Sequence, residues 1–314
     1  MSLSQEELHQ HCIRILSSRR IHNKIIVLCE GSIPRIQGIL SPQSYRGIDG
    51  FPDANFYKAC IPRSWRESIP EFFNCGDRND VLNTYFSLSE IVEQGVNSSY
   101  FHPKNLFAIV DSDHQVKTLN PIYPFGDTEA IFHNLYDKTK VNKANAERHH
   151  IWVTGFIHKE CYFLIPELQE VFDQLLTSAH YKSNKLLLED IYLDMARGII
   201  DDADLVGNFQ TVCNRISHCN ALDIGDPEKL KNSWKKEFQS SSDEIRKKEL
   251  IFTLLAIRKA KAYWHQIEPD RNWTGSTSPF RDQLLLKIGG FYAEQADAAQ
   301  HHIPYFLKLL RELI

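Results

Sequence analysis

Residues 105–115 read NLFAIVDSDHQ: an uncharged, mostly apolar run from Asn105 to Val110, then Asp111 and Asp113 separated by one serine. A short apolar run that ends in the β-branched pair Ile109–Val110 predicts a strand buried on both faces, as the strands of parallel sheets are. The run KIIVLC (Lys24–Cys29) has the same character and stops at Glu30–Gly31. Two further segments complete the pattern. Glu71–Cys75 predicts a strand, followed by a turn at Gly76 and a helix over Asn79–Gln94. Asp127 is placed to cap a helix reaching Lys138, after which HIWVTG (His150–Gly155) predicts a fourth strand. Strand and helix alternate, which argues for an α/β fold with a parallel or mostly parallel sheet flanked by helices.

Around this frame, residues 5–20 read as a helix and Ser32 with Pro34 opens a short one to Leu40. Ser41–Pro70 is rich in Pro, Gly, Asp and aromatics and reads as a long loop whose one strand candidate is Asn55–Ile61. Beyond Pro166 helical patterns follow one another without a clear strand: Glu167–Ala179, Asn184–Ile200, Glu228–Gln239, Asp243–Gln266, Arg281–Gln295 and Pro304–Leu313. The expected division is an α/β domain over 1–165 and a helical domain over 166–314.

Over 314 residues, 42% hydrophobic and 24% charged content is that of an ordinary globular chain long enough for two cores. A net charge of −4 supplies no overall attraction to nucleic acid, so any contact with phosphates must come from a local basic patch or a bound cation. No apolar window is long enough to span a membrane, and the N-terminus lacks the apolar core of a signal peptide. Seven scattered cysteines without a C-x-x-C pair predict free thiols and a cytoplasmic setting. The clusters HQHC (His9–Cys12) and CNRISHC (Cys213–Cys219) lack a second ligand pair at finger spacing, which argues against zinc there.

The strand ends carry the chemistry. If the strand continues through Asp113, its pleat points Asp111 and Asp113 to one side. Glu30 ends another strand of the same sheet, and parallel strands finish at a common edge, where doubly wound sheets bind their ligands. Neighbouring strands lie about 4.8 Å apart, so three carboxylates at that edge repel one another unless something neutralises them. A hard divalent cation does so, and Mg²⁺ (or Mn²⁺) suits a few carboxylates completed by water. The ordinary alternative is that a strand-ending aspartate serves as a turn former or helix cap. Gly31 leaves room for a phosphate beside the backbone, and Arg35 and Lys159 stand close in sequence to the acids. His114 and His158 lie near strand ends; His149 and His150 precede the fourth strand. Lys247, Lys248, Arg258, Lys259 and Lys261, with Trp264, suit either a nucleic-acid backbone or a solvated helix face. Neither G-x-S-x-G nor G-x-G-x-x-G is present, which disfavours serine hydrolysis and dinucleotide binding.

The segments IIVLCEGS with Glu30 and Gly31, FFNCGDRNDVLNTYFSL, and LFAIVDSD with Asp111 and Asp113 together resemble the TOPRIM domain of topoisomerases, primases and OLD-type nucleases, over roughly residues 22 to 165. The resemblance implies a TOPRIM-like sheet in which Glu30 is a metal ligand or general acid/base. It also implies that Asp111 and Asp113 hold magnesium while phosphodiester bonds are cut or made. The segment TGFIHKECYFLIPEL looks similar to the region after the fourth strand of OLD-like domains and offers Glu160 as a second-site ligand, with Tyr162 beside it. Ser32–Arg35 lacks the acid usual after Glu–Gly, and His114–Gln115 replace a small-residue turn. No G-x-x-x-x-G-K-[ST] is present, so ATP, if used, comes with a separate ATPase or other protein partner. The expectation is a magnesium-dependent nuclease on DNA or RNA, with Glu30, Asp111 and Asp113 catalytic and Gly31, Arg35, His114 and Lys159 near phosphate. The alternatives are a degenerate TOPRIM-like binding or regulatory module and a primase-like nucleotidyl transferase.

Overall fold

In a computed structural model of the protein, residues 2–33, 52–65, 69–93, 101–295 and 298–312 are described. Strands β1 (Ile26–Cys29), β2 (Glu71–Asn74), β3 (Leu106–Val110) and β4 (Ile151–Val153) form one all-parallel sheet in the order β2-β1-β3-β4. The central strands β1 and β3 pair in the register Val27↔Phe107 and Cys29↔Ile109, and every residue of both is buried. That double burial is why both read as unbroken apolar runs.

Helix α1 (Gln5–Leu16) starts in a capping box, Ser4 accepting from the Glu7 N–H and Glu7 from the Ser4 N–H. It packs on α3 (Arg78–Glu93). Helix α4 (Thr128–Leu135) is capped by Asp127 as expected and packs on β4. The α4 contact with the sheet uses an apolar stripe of Ile131, Phe132 and Leu135.

Three expectations are corrected. The strand expected over Asn55–Ile61 is instead α2 (Pro52–Ala59), which proline is suited to begin and whose Phe56 and Tyr57, with Cys60 just beyond, are buried. The region after Pro166 is mainly helical but carries a three-stranded antiparallel sheet, β5 (Ala179–Tyr181) between β6 (Asn184–Lys185) and β7 (Ile267–Pro269). Lys182 and Ser183 take φ of 49° and 69°, and two successive positive φ values make the tight hairpin turn that suits strand twist; neither residue announces that conformation in sequence. Finally, the single helix expected over Asp243–Gln266 stops early. All but the first two residues of the expected helix at Ser32–Leu40, and residues 41–51 and 66–68 of the loop after it, lie outside the described residues.

The helices of this second half are α5 (Leu168–Asp173), α6 (Leu188–Arg197), α7 (Ala203–Gly207), α8 (Phe209–Ile216), α9 (Pro227–Ser240), α10 (Glu244–Ile257), α11 (Thr277–Ala293) and α12 (His302–Glu312). Chain extension at Arg258 (φ −119°, ψ 120°) ends α10, and tertiary bonds hold it: the guanidinium binds the Met195 carbonyl, Asp202 and Tyr263 Oη. Arg258, Lys259 and Lys261 therefore do not continue the face of Lys247 and Lys248, and no basic stripe runs through them. Trp264 is buried against Phe163, with ring centroids 4.9 Å apart, and is not offered to a base.

One apolar core runs through both halves. Trp152 of β4 meets Phe306 of α12 at 4.4 Å between centroids, and Tyr292 Oη donates to the Tyr162 carbonyl at 2.6 Å. At the α2–α11 crossing a Cβ on Gly289 would lie 2.3 Å from the Ala59 Cβ and 2.9 Å from its carbonyl carbon. Gly289→Ala gains roughly 1 kcal/mol of helix propensity but overpacks a backbone contact at a cost of about 1–3 kcal/mol. The expected result is a net loss of stability, read as a lower urea midpoint at unchanged slope. All seven cysteines are free and buried, and among the described residues no helix is long and apolar enough to cross a membrane.

Candidate functional site

β1 and β3 end side by side, and the first residues beyond them meet. A Glu30 carboxylate oxygen accepts the Asp111 N–H at 2.7 Å, so the acid after one strand is tied to the acid after the next. Gly31 does structural work here. It exchanges hydrogen bonds of 2.9 and 2.8 Å with Gly76 and takes φ 149°, a value that needs glycine. Gly76 itself has φ 93°, and a Cβ there would lie 2.4 Å from Asp80 Oδ2.

Electrostatics gathers more acids around this pair. Burial pushes the Asp111 carboxyl well above the usual carboxylate range, and the charges of Glu30, Glu160 and Asp113 push it further. A hydrogen bond from the Lys159 backbone, at the start of the 3-10 helix Lys159–Leu164, opposes the rise. Glu30 is raised chiefly by burial, against the Asp111 N–H and the charges of Arg78, His158 and Lys159. Glu160 is itself buried. Its neighbour Tyr162 faces elsewhere, its Oη accepting the Gly155 N–H at 3.0 Å beside His302. Lys159 shifts the opposite way: burial lowers its ammonium, and the charges of Glu160 and Glu30 oppose the fall.

Asp113 arrives by a different route from the one expected. The strand stops at Val110, and Asp113 has φ 35°, so the pleat does not set its direction. The loop is pinned instead. Ser112, between the acids, is buried, donating its N–H to Thr154 Oγ1 and its hydroxyl to the Phe156 carbonyl, both at 3.1 Å. The buried Arg215 donates to the Ser112 and Asp113 carbonyls at 3.0 and 2.8 Å while paired with Glu129. Arg78 reaches the Ser112 and Gln115 carbonyls. Burial by itself would raise the Asp113 carboxyl, but His158, Lys259, the His114 N–H and Arg78 outweigh it and hold it well below the carboxylate range. Lys259 Nζ stands 3.2 Å from Asp113, with His158 and Arg78 at 3.9 and 4.0 Å.

Glu30 and Asp111 are thus brought into contact, with Glu160 and Asp113 in the same field. Among the described residues, the group whose ligand atoms all lie within 4.8 Å of one another is a different one: Asp113, His114 and Asp204. His114 is fully buried, with Nε2 2.7 Å from the Ile257 carbonyl, and so exposes nothing to a phosphate. His149 and His150 are packing residues, bonded to Asn134 and to the Leu106 carbonyl. Arg35 lies outside the described residues. Sequence reasoning missed Arg78, Arg215 and Asp204. Arg78 stands just after the second-strand turn and had a local signal; Arg215 and Asp204 come from α8 and α7, far along the chain, and had none.

Fold and site together define an α/β protein with carboxylates collected at the C-terminal edge of a parallel sheet. No family model, curated protein or solved structure matches the chain.

Proposed function

We propose that the protein is a metal-dependent phosphodiesterase acting on DNA or RNA, with Glu30, Asp111 and Glu160 holding Mg²⁺ or Mn²⁺ and Asp113 completing the acidic edge. The observation that carries this reading is the Glu30–Asp111 hydrogen bond, which sets two acids from separate strands in one field with two more. The donors are hard carboxylate oxygens of the kind such an ion prefers, and burial raises both Glu30 and Asp111, Asp111 further through the charges of Glu30 and Glu160. Bound there, such a cation offsets phosphate charge and makes water a better nucleophile.

The chain's own groups do the rest. Arg78, Lys159 and Lys259 approach the acids from three segments, and a phosphodiester brought to this edge meets their positive charge. His158, 3.9 Å from Asp113, is placed to pass a proton at the edge of the site. No side-chain nucleophile is needed. The test is incubation of the purified protein with labelled single- and double-stranded DNA and RNA in Mg²⁺ or Mn²⁺. Cleavage that EDTA stops is the expected result; binding without turnover in either metal sinks the proposal.

One observation favours a second reading, a binding or regulatory module. Lys259, His158 and Arg78 already neutralise Asp113 without an ion. The same incubation separates the two, and incorporation of nucleoside triphosphates into a primer would point to nucleotidyl transfer instead.

A further inference from the structure

A buried imidazole with one bare nitrogen faces two carboxylates next to this site. His114 is 0% exposed, and Nε2 lies 2.7 Å from the Ile257 carbonyl. A carbonyl only accepts, so Nε2 carries the proton and Nδ1 keeps its lone pair. Nδ1 has no hydrogen-bond partner among the described residues, and it lies 3.7 Å from Asp204 Oδ2. Two acceptors therefore confront each other, the imidazole buried and the carboxylate partly exposed, with Asp113 close enough that ligand atoms of all three residues fall within 4.8 Å of one another. Lys259 bridges the two carboxylates. It makes no hydrogen bond to the imidazole, so the acids are neutralised while the ring nitrogen stays unsatisfied.

What satisfies a lone pair and two carboxylates together is a metal ion. Metal-binding histidines characteristically donate their other ring N–H to a carbonyl or carboxylate, which fixes the tautomer and aims the free nitrogen. One imidazole with two carboxylates is a donor set for Zn²⁺ with an open coordination position, and a poor one for Mg²⁺, which prefers oxygen throughout. We infer that Asp113, His114 and Asp204 form a Zn²⁺ site, separate from the Glu30–Asp111 pair, in which Lys259 holds the carboxylates together until the ion displaces its ammonium. Asp204 belongs to α7 and the other two ligands follow β3, so the ion would clasp the helical half to the sheet edge.

The test uses the full-length protein stripped of metal. Co²⁺ serves as a spectroscopic stand-in for Zn²⁺, and a chromophoric chelator reports Zn²⁺ affinity by competition. The expected result is one tight equivalent with ligand-field bands of mixed nitrogen and oxygen ligation, not displaced by excess Mg²⁺. Asp204→Asn should weaken binding at least ~10-fold, Lys259→Met should tighten it, and His114→Gln should remove the nitrogen signature. Glu30→Gln and Asp111→Asn should leave it unchanged. Asp204 and Lys259 are partly exposed, so those two variants decide the matter even if His114→Gln fails to fold. Absence of Co²⁺ binding in both the wild type and Lys259→Met overturns the inference, as does binding that Asp204→Asn leaves intact or Asp111→Asn abolishes. These outcomes read Zn²⁺ binding alone; Mg²⁺-dependent cleavage is judged by its own assay.

Discussion

Asp111→Asn is expected to abolish metal-dependent cleavage, by ~10³-fold or more, while raising the melting temperature of the metal-free protein. The loss follows from the role proposed for the carboxylate: an ion that offsets phosphate charge contributes several kcal/mol to the transition state, and about 4 kcal/mol corresponds to ~10³ in rate. The gain follows from the surroundings. Asp111 is half-buried beside Glu30, Glu160 and Asp113, and its ionised form is disfavoured by all of them. A neutral amide of the same shape still accepts the Lys159 N–H and removes the repulsion, a change of about 0.5–2 kcal/mol in favour of the folded state. Mg²⁺ or Mn²⁺ should then raise the melting temperature of the wild type but not of the variant, since only a species that binds the native state stabilises it. A merely structural aspartate would behave in the opposite way, with the variant melting lower and responding to metal as before. Thermal scans with and without metal, beside the cleavage assay, therefore decide whether the acids at this edge serve function or architecture.

How far the sequence foretold this arrangement depends on the range of the interactions. β1 and β3 were legible because a strand buried on both faces must be apolar throughout, and the run ending at Val110 is such a strand. The meeting of Glu30 with Asp111 was legible too, since parallel strands end at a common edge. Asp113 was placed near the right neighbours for the wrong reason: its position rests on a backbone turn at φ 35°, on Ser112 bonding to the β4 side and on Arg215, not on the pleat. Contacts with the second half were invisible. Asp204 lies 91 positions after Asp113 in the numbering, and nothing in its own segment, DDADLVG, separates a metal ligand from a helix-start acid. Lys259 looked like part of a basic helix because helical periodicity carries past Ile257; only the tertiary grip on Arg258 shows that the helix ends there.

Arg215→Met is expected to cost about 3–5 kcal/mol of stability, the penalty for breaking a buried ion pair from one side. Arg215 is 4% exposed, and its guanidinium pairs with Glu129 through two nitrogens, lies 4.9 Å from the Phe132 ring centre and supports the carbonyls of Ser112 and Asp113. Methionine fills the volume but leaves Glu129, among the described residues, beside the half-exposed His133 at 3.3 Å and without its guanidinium. Adding Glu129→Gln removes the stranded charge, so the double variant should recover part of the loss, a coupling that a double-mutant cycle reads directly. The pH dependence supplies an independent check. In the wild type, burial would raise the Glu129 carboxyl, but His133 and Arg215 outweigh it and hold it below its ordinary 4.5. The unfolded state then binds the proton more tightly, so this contribution is fully present above pH 4.5 and disappears as pH falls through the lowered folded value. With Arg215 gone, burial is less opposed and the folded-state value rises, which weakens or reverses the dependence: the deficit of the variant should narrow as the pH is lowered toward the carboxylate range. Urea midpoints of wild type and variant at neutral and acidic pH measure both effects. A variant that matches the wild type at neutral pH would show that Arg215 does not hold the acidic loop in place, and that the turn carrying Asp113 is set by Ser112 and Arg78 instead.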